Sequence, residues 1–167
     1  MSAARLSLRP FLPADAPVLA ALFRASIAEL TGDDYDEEQQ EAWSAAADDE
    51  EAFAARLAGA LTLVALRDGV PVGFAALKDN AHIELLYVSP PAAGTGVARA
   101  LADALETLAK ARGTRKLTVD ASDTALGFFQ KRGYVPQRRN MVPLADTWLG
   151  NTAMEKQLGE SNAGLRQ

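Results

Sequence analysis

Cysteine is absent from the 167 residues. That removes disulfides, thiolate metal sites and a cysteine nucleophile at once. Histidine occurs once, at His82, too few for a histidine-built metal cluster, so no metal is expected. No apolar run reaches the ~20 residues a bilayer demands, and the N-terminus lacks the apolar core of a secretory leader. No membrane association is therefore expected. Positive charge is in deficit: 17 Lys and Arg against 22 Asp and Glu leave a net charge of −5. That is the wrong sign for a protein that grips nucleic acid by its phosphates. Repeats and low-complexity linkers are missing too. What is there is 49% apolar and 23% charged, the composition of an ordinary globular domain. The expectation is one domain over residues 1–158 with a tail at 159–167, in the reducing cytoplasm.

The pattern along the chain is mixed. Leu6 to Arg9 alternates as a short strand does, and Pro10 and Pro13 end it. Asp15 is placed to cap a helix whose stripe is Val18, Leu19, Leu22, Phe23 and Ile27, stopped by Gly32. A second helix starts near Asp36, with Gln39 completing a capping box and Trp43 facing inward. A third covers roughly Glu50 to Ala58. Strands then follow at Leu61–Leu66, Pro71–Leu77 and His82–Val88, joined by turns at Asp68-Gly69 and Asp79-Asn80. A long helix with Val97, Leu101, Leu105 and Leu108 on one stripe ends at Gly113. A strand at Leu117–Asp120, a helix at Thr124–Arg132 and closing strands at Tyr134–Arg138 and Ala153–Leu158 complete the chain. The order predicts a mixed sheet with helices on its faces.

The most informative stretch is HIELLYVSPPAAGTGVARALADAL, from His82 to Leu105. A strand ends at Ser89-Pro90, and a short loop with Gly94 and Gly96 opens directly into a helix. Glycine lets backbone N–H groups approach an anion, and a helix start adds partial positive charge. Together they can cradle a phosphate. A plain strand-to-helix turn would use the same glycines for their dihedrals alone. No Gly-Lys-Ser/Thr follows, which excludes a Walker loop, and the three-glycine spacing of a dinucleotide fold is missing.

The same stretch resembles the GNAT superfamily of acyl-CoA-dependent N-acyltransferases. Its motif Gln/Arg-x-x-Gly-x-Gly/Ala is met here by Ala93-x-x-Gly96-x-Ala98, with the first residue departing from the pattern. Val119-Asp120-Ala121-Ser122 and Ala125-x-x-Phe128-Phe129-x-x-x-Gly133-Tyr134 resemble the family's later strand-helix-strand block. Tyr35, Gln39 and Trp43, with Trp148-Leu149 and Met154-Glu155-Lys156, look like a bacterial subgroup termed YafP-like. The resemblance implies an α/β (α+β) fold. Its mixed, mostly antiparallel sheet has six to seven strands and four to five flanking helices, and two central parallel strands splay apart. It implies acetyl-CoA as co-substrate and an amine, small-molecule or peptide, as acceptor. It leaves a homodimer open, since many members are dimers.

The resemblance also implies roles. The backbone of Leu86, Tyr87 and Val88 would hold the pantetheine arm. Ala93, Gly94, Thr95, Gly96, Val97, Ala98 and Arg99 would surround the pyrophosphate. Ser122 stands where relatives often place an Asn that touches CoA, and it equally suits a helix cap. Phe129 occupies the position of the family's usual acidic Tyr, so Tyr134, Tyr87 or a water on Ser122 would have to donate the proton instead. An amine attacks only as the neutral base, which calls for a proton acceptor. Glu84 is the first candidate, sharing a strand face with Leu86 and Val88 by period-2 alternation. His82 on that face is the second.

On the acceptor side, eleven acids lie between Arg24 and Arg56 with no basic residue among them, from Glu29 to Glu51. They would attract a cationic amine or merely solvate helix faces; the second is the commoner case. Tyr35 and Trp43 are the candidate lining of the acceptor site. Three activities stay open: an N-acetyltransferase, a CoA-binding sensor without turnover, and a transferase of longer acyl groups.

Overall fold

The structure is a computed structural model that describes residues 5–159; the expected tail lies, from residue 160 on, outside the described residues. Seven strands form one sheet: β1 (Leu6–Pro10), β2 (Leu61–Arg67), β3 (Val70–Lys78), β4 (His82–Val88), β5 (Lys116–Ser122), β6 (Val135–Leu144) and β7 (Thr147–Gln157). Their spatial order is β1-β2-β3-β4-β5-β7-β6. All neighbours are antiparallel except β4 and β5. The helices are α1 (Ala16–Leu30), α2 (Glu37–Ser44), α3 (Glu50–Ala58), α4 (Val97–Ala111) and α5 (Leu126–Lys131). This is the mixed, mostly antiparallel architecture expected from the sequence. Among the described residues no helix is long and apolar enough to cross a membrane.

The central strands are apolar on both faces because both are covered. Along β2 and β3, Leu63, Ala65, Ala75 and Leu77 pack under Val97, Leu101 and Leu105 of α4. The alternate residues Val64, Phe74 and Ala76 pack under Leu19, Phe23 and Phe53 of α1 and α3. Burying each large side chain is worth about 1.5–3 kcal/mol relative to exposure. Gly73 sets how close α4 can come. A β-carbon there would lie 2.7 Å from Val97 Cγ1 and 3.0 Å from the Tyr87 carbonyl oxygen.

The capping box forms as expected: Gln39 N–H donates to Asp36 Oδ1 at 2.8 Å, and Asp36 N–H to Gln39 Oε1 at 2.9 Å. Three details differ from the sequence reading. Asp15 does not cap α1 with its side chain; the carboxylate turns back to accept from Leu12 N–H and to pair with both terminal nitrogens of Arg9. The Arg9 bond holds it below the usual carboxylate range. Val18 is exposed rather than on the buried stripe. The closing strands are far longer than expected and join in a hairpin at Ala145-Asp146.

Candidate active site

The sheet opens where its one parallel pair begins. Strands β4 and β5 align only at His82↔Thr118 and Ile83↔Val119. Beyond that point β5 stays with β7 as far as Ser122↔Asn151. From Glu84 to Val88 the edge of β4 that faces β5 therefore has no strand partner among the described residues. The gap itself, a cleft of about 150 Å³, is lined by Glu84, Leu86, Tyr87, Asp120, Ser122 and Phe129, among others.

A bulge controls what β4 presents to each side. Leu77 aligns with Ile83, and the next pair is Ala76↔Leu85, so Glu84 is the extra residue. This overturns the expectation that Glu84 shares a face with Leu86 and Val88. The bulge breaks the period-2 alternation, so Glu84 joins Leu85 and Tyr87 on the α1–α3 side, while Leu86 and Val88 pack toward α4.

On the α4 side the gap leads to an outer cleft of about 570 Å³. Leu86, Val88, Ala93, Gly94, Gly96, Val97, Ala98 and Arg99 line it, as the sequence suggested, with Phe128 and Lys131 opposite. Gly94 and Gly96 adopt φ of +76° and +93°, where a side chain is strained, and a β-carbon on either would point into open space. The N–H groups of Gly94, Gly96, Val97, Ala98 and Arg99 donate to no acceptor among the described residues. Thr95 is an exception to the expected set. It turns away from the cleft, its hydroxyl accepting from Arg67 at 2.6 Å and donating to the Ala92 carbonyl.

On the other side lies an inner cleft of about 460 Å³. Its charged lining is Glu84, Asp120 and Arg56; Phe23, Trp43, Leu144 and Leu149 supply apolar walls. Tyr87 stands between the gap and the inner cleft. Its hydroxyl accepts from Trp43 Nε1 at 3.2 Å. Burial, the largest influence, pushes the phenol up to about 12. Tyr35 is buried, its hydroxyl donating to the Gly150 carbonyl at 2.6 Å and accepting from Asp123 N–H at 2.8 Å. It ties the α1–α2 loop to β7 and to the loop after β5. Ser122 lines the gap, and its hydroxyl accepts from Ala125 N–H at 3.1 Å in the turn before α5, whose own N-cap is Ala125.

Two expected catalytic residues stand apart. Tyr134 reaches none of the three clefts. It is buried behind Phe129, and its hydroxyl donates to Glu106 at 2.9 Å, where Lys156 and Arg132 also converge. Burial and that carboxylate hold its phenol far above the ordinary range. A proton so held is not available to a leaving group in the gap. His82 also lines none of the three clefts; Nδ1 lies 2.7 Å from Thr118 Oγ1 and Nε2 3.9 Å from Asp120 Oδ2. It borders the site only through Asp120. None of the eleven acids lines any of these three clefts either. Asp36 and Asp49 cap helices, and Asp34 accepts from Thr124 at 2.8 Å. The sequence alone assigns no role to Arg56, Asp120 and Lys131, Asp120 although it stands in the Val119–Ser122 stretch, because only the folded chain brings these charges to the clefts.

Comparison with known proteins gives a consistent result. The profile of the acetyltransferase (GNAT) domain matches residues 31–158. The uncharacterized N-acetyltransferase YafP of Escherichia coli K12 is 32% identical over 149 residues, covering 89% of this chain and 94% of YafP. The crystal structure of a GCN5-related N-acetyltransferase from Rhodopseudomonas palustris superposes with a TM-score of 0.90 at 59% identity, covering 94% of this chain and 98% of that one. The PaiA N-acetyltransferase of Thermoplasma acidophilum, crystallised with coenzyme A, gives a TM-score of 0.76 at 20% identity, covering 92% and 99%. At that identity the likeness is one of fold.

Proposed function

Because this chain belongs to the GNAT acetyltransferase family, we propose that it transfers an acetyl group from acetyl-CoA to a primary amine by direct attack, with both substrates bound together. The observation that carries this reading is the continuity of the three clefts. The outer one shares Leu86 and Ala125 with the gap, and the gap shares Glu84, Tyr87, Asp120 and Ser122 with the inner one.

The residues fit a nucleotide-tailed thioester. Five undonated N–H groups at a left-handed glycine turn suit a pyrophosphate, and Arg99 and Lys131 add charge at the same cleft. The unpaired edge of β4 suits the amides of a pantetheine arm, which would lie as a pseudo-strand. Bound this way, acetyl-CoA supplies an activated acetyl group at the junction of gap and inner cleft.

There the chain's own groups act on protons. Glu84, aimed into the inner cleft by the bulge, takes a proton from the incoming ammonium, and Asp120 is the second carboxylate in reach of the cleft. Tyr87 answers the problem set by Phe129. Its oxygen already accepts from Trp43, and its own proton has no acceptor among the described residues. With its phenol pushed up to about 12 it stays protonated at neutral pH and can donate to the departing sulfur. A thiol has a pKa of about 8.5, so a hydrogen bond suffices without full transfer. Holding both reactants in line contributes as much as either proton transfer.

The test is thiol release from acetyl-CoA across a panel of polyamines, amino acids, peptide amino termini and aminoglycosides, with each product identified by the added acetyl mass. Acetylated amine supports the assignment. Tight CoA binding with no acetylated product on any amine replaces it with a sensor.

A further inference from the structure

We propose that the amine taken by the inner cleft carries a carboxylate of its own: a free amino acid, or a similar small aminocarboxylate, with an apolar side chain. The choice of substrate rests on the acetyl-transfer reading above for the reaction, and on the lining of the inner cleft for everything else.

Arg56 is the cation that lines this cleft, and its fork is not occupied by a carboxylate as those of Arg9, Arg132 and Arg139 are. Arg9 holds Asp15 with both terminal nitrogens, and Arg139 holds Asp123 the same way. Arg132 is divided between Asp103 and Glu106. Arg56 touches its acid only through Nε, 3.5 Å from Glu84 Oε1. Its two terminal nitrogens have no acceptor among the described residues, and its side chain is 39% exposed at the cleft wall. An open planar fork of this kind matches a carboxylate bidentately.

The charge order selects the substrate. An ammonium placed against Glu84 and Asp120 leaves the fork of Arg56 beside it, where a second anionic group on the same small molecule completes an alternation of sign. A plain alkylamine would leave the fork unmet, and a polyamine would set a second cation against it. A protein amino terminus has its carboxyl locked in an amide and cannot fill the role. Phe23, Trp43, Leu144 and Leu149 then bound the remaining space of the 460 Å³ cleft, which suits an apolar side chain.

The experiment compares L-phenylalanine with 2-phenylethylamine and phenylalanine methyl ester, and L-leucine with its amine and ester. It reads kcat/KM with acetyl-CoA, and separately reads calorimetric binding to the CoA-loaded protein. The free acids are expected to lead by about 10- to 100-fold, the range of a charge-assisted hydrogen bond. Arg56→Gln should collapse that ratio to within about 3-fold, and Arg56→Lys, which keeps charge without the fork, should restore only part of it. Amines or esters acetylated as readily as the acids would overturn the carboxylate clamp and leave acetyl transfer standing. Acids bound selectively through Arg56 without any acetylated product would overturn acetyl transfer and leave the clamp. Equal binding of acid and amine, or a ratio that Arg56→Gln does not change, overturns the clamp outright.

Discussion

The outer and inner clefts meet at one strand and are made of different material. The outer cleft is built from backbone: unpaired N–H groups after Gly94, the open edge of β4, and small side chains that keep out of the way. The inner cleft is built from side chains contributed by α1, α2, α3, β4, β5 and the β6–β7 hairpin. Backbone makes the same groups available whatever the residues, given the right dihedrals. A surface made that way suits a cosubstrate that never changes. Side chains can be exchanged singly, so the inner cleft is where substitution can change what is accepted without disturbing the outer one. The bulge at Glu84 lets a single strand serve both, turning Leu86 and Val88 one way and Glu84 and Tyr87 the other.

Substitutions should separate the two. The largest effect is expected at Gly96, whose φ of +93° no other residue adopts without strain. Gly96→Glu adds a negative charge to the anion cradle and should weaken coenzyme A binding by about 100-fold or more, measured by calorimetry on protein whose circular dichroism is unchanged. Unaltered affinity would remove the division between the clefts. Next comes Glu84→Gln, which should lower kcat by about 100-fold and reshape the pH–rate profile while coenzyme A affinity holds. A loss of coenzyme A binding there would mean that the bulge serves the outer cleft.

A smaller effect is expected from Tyr35→Phe. It strands the Gly150 carbonyl and the Asp123 N–H, at a cost of about 1–3 kcal/mol in denaturant unfolding. The rise should fall on KM for the amine and spare coenzyme A. The smallest effect is expected from Tyr87→Phe on stability. At neutral pH it loses the Trp43 bond, worth about 1 kcal/mol. The folded phenol titrates near 12 and an unfolded one near 10, so this group stabilises fully below pH 10 and progressively less as pH rises toward 12. The variant lacks that ionisation, so the parent's advantage should shrink above pH 10 and reverse before pH 12, because raising the phenol from near 10 to near 12 is worth about 2.7 kcal/mol. A gap that stays constant from pH 9 to 12 would contradict the burial of the Tyr87 hydroxyl.

The sequence made the outer cleft legible and left most of the inner one hidden, for the same physical reason. A loop that must take positive φ twice before a helix needs glycine, and glycine is visible. The capping box at Asp36 and the alternation in β2 and β3 are local in the same sense. Arg56 and Asp120 are ordinary charged residues 64 positions apart that meet only when β5 pairs beside β4. The bulge leaves no mark, since HIELLYV reads as an uninterrupted strand. Tyr134 is a candidate proton donor in the sequence because Phe129, at the position of the family's usual Tyr, cannot donate; sequence does not show that the Tyr134 hydroxyl turns to Glu106. The β6–β7 hairpin escaped because β6 is a sheet edge. It is mostly exposed, carries Pro136 and Pro143, and turns at Ala145, whose φ of +50° is one that Gly or Asn usually marks.

Backbone amide hydrogen exchange with and without saturating coenzyme A tests most directly whether the outer cleft and gap hold the cosubstrate. Amides of Gly94–Arg99 and of β4 beyond Ile83 should slow by about tenfold or more, while those of α3 and the β6–β7 hairpin keep their rates. Protection confined to the inner cleft, or exchange unchanged at both, would contradict the assignment.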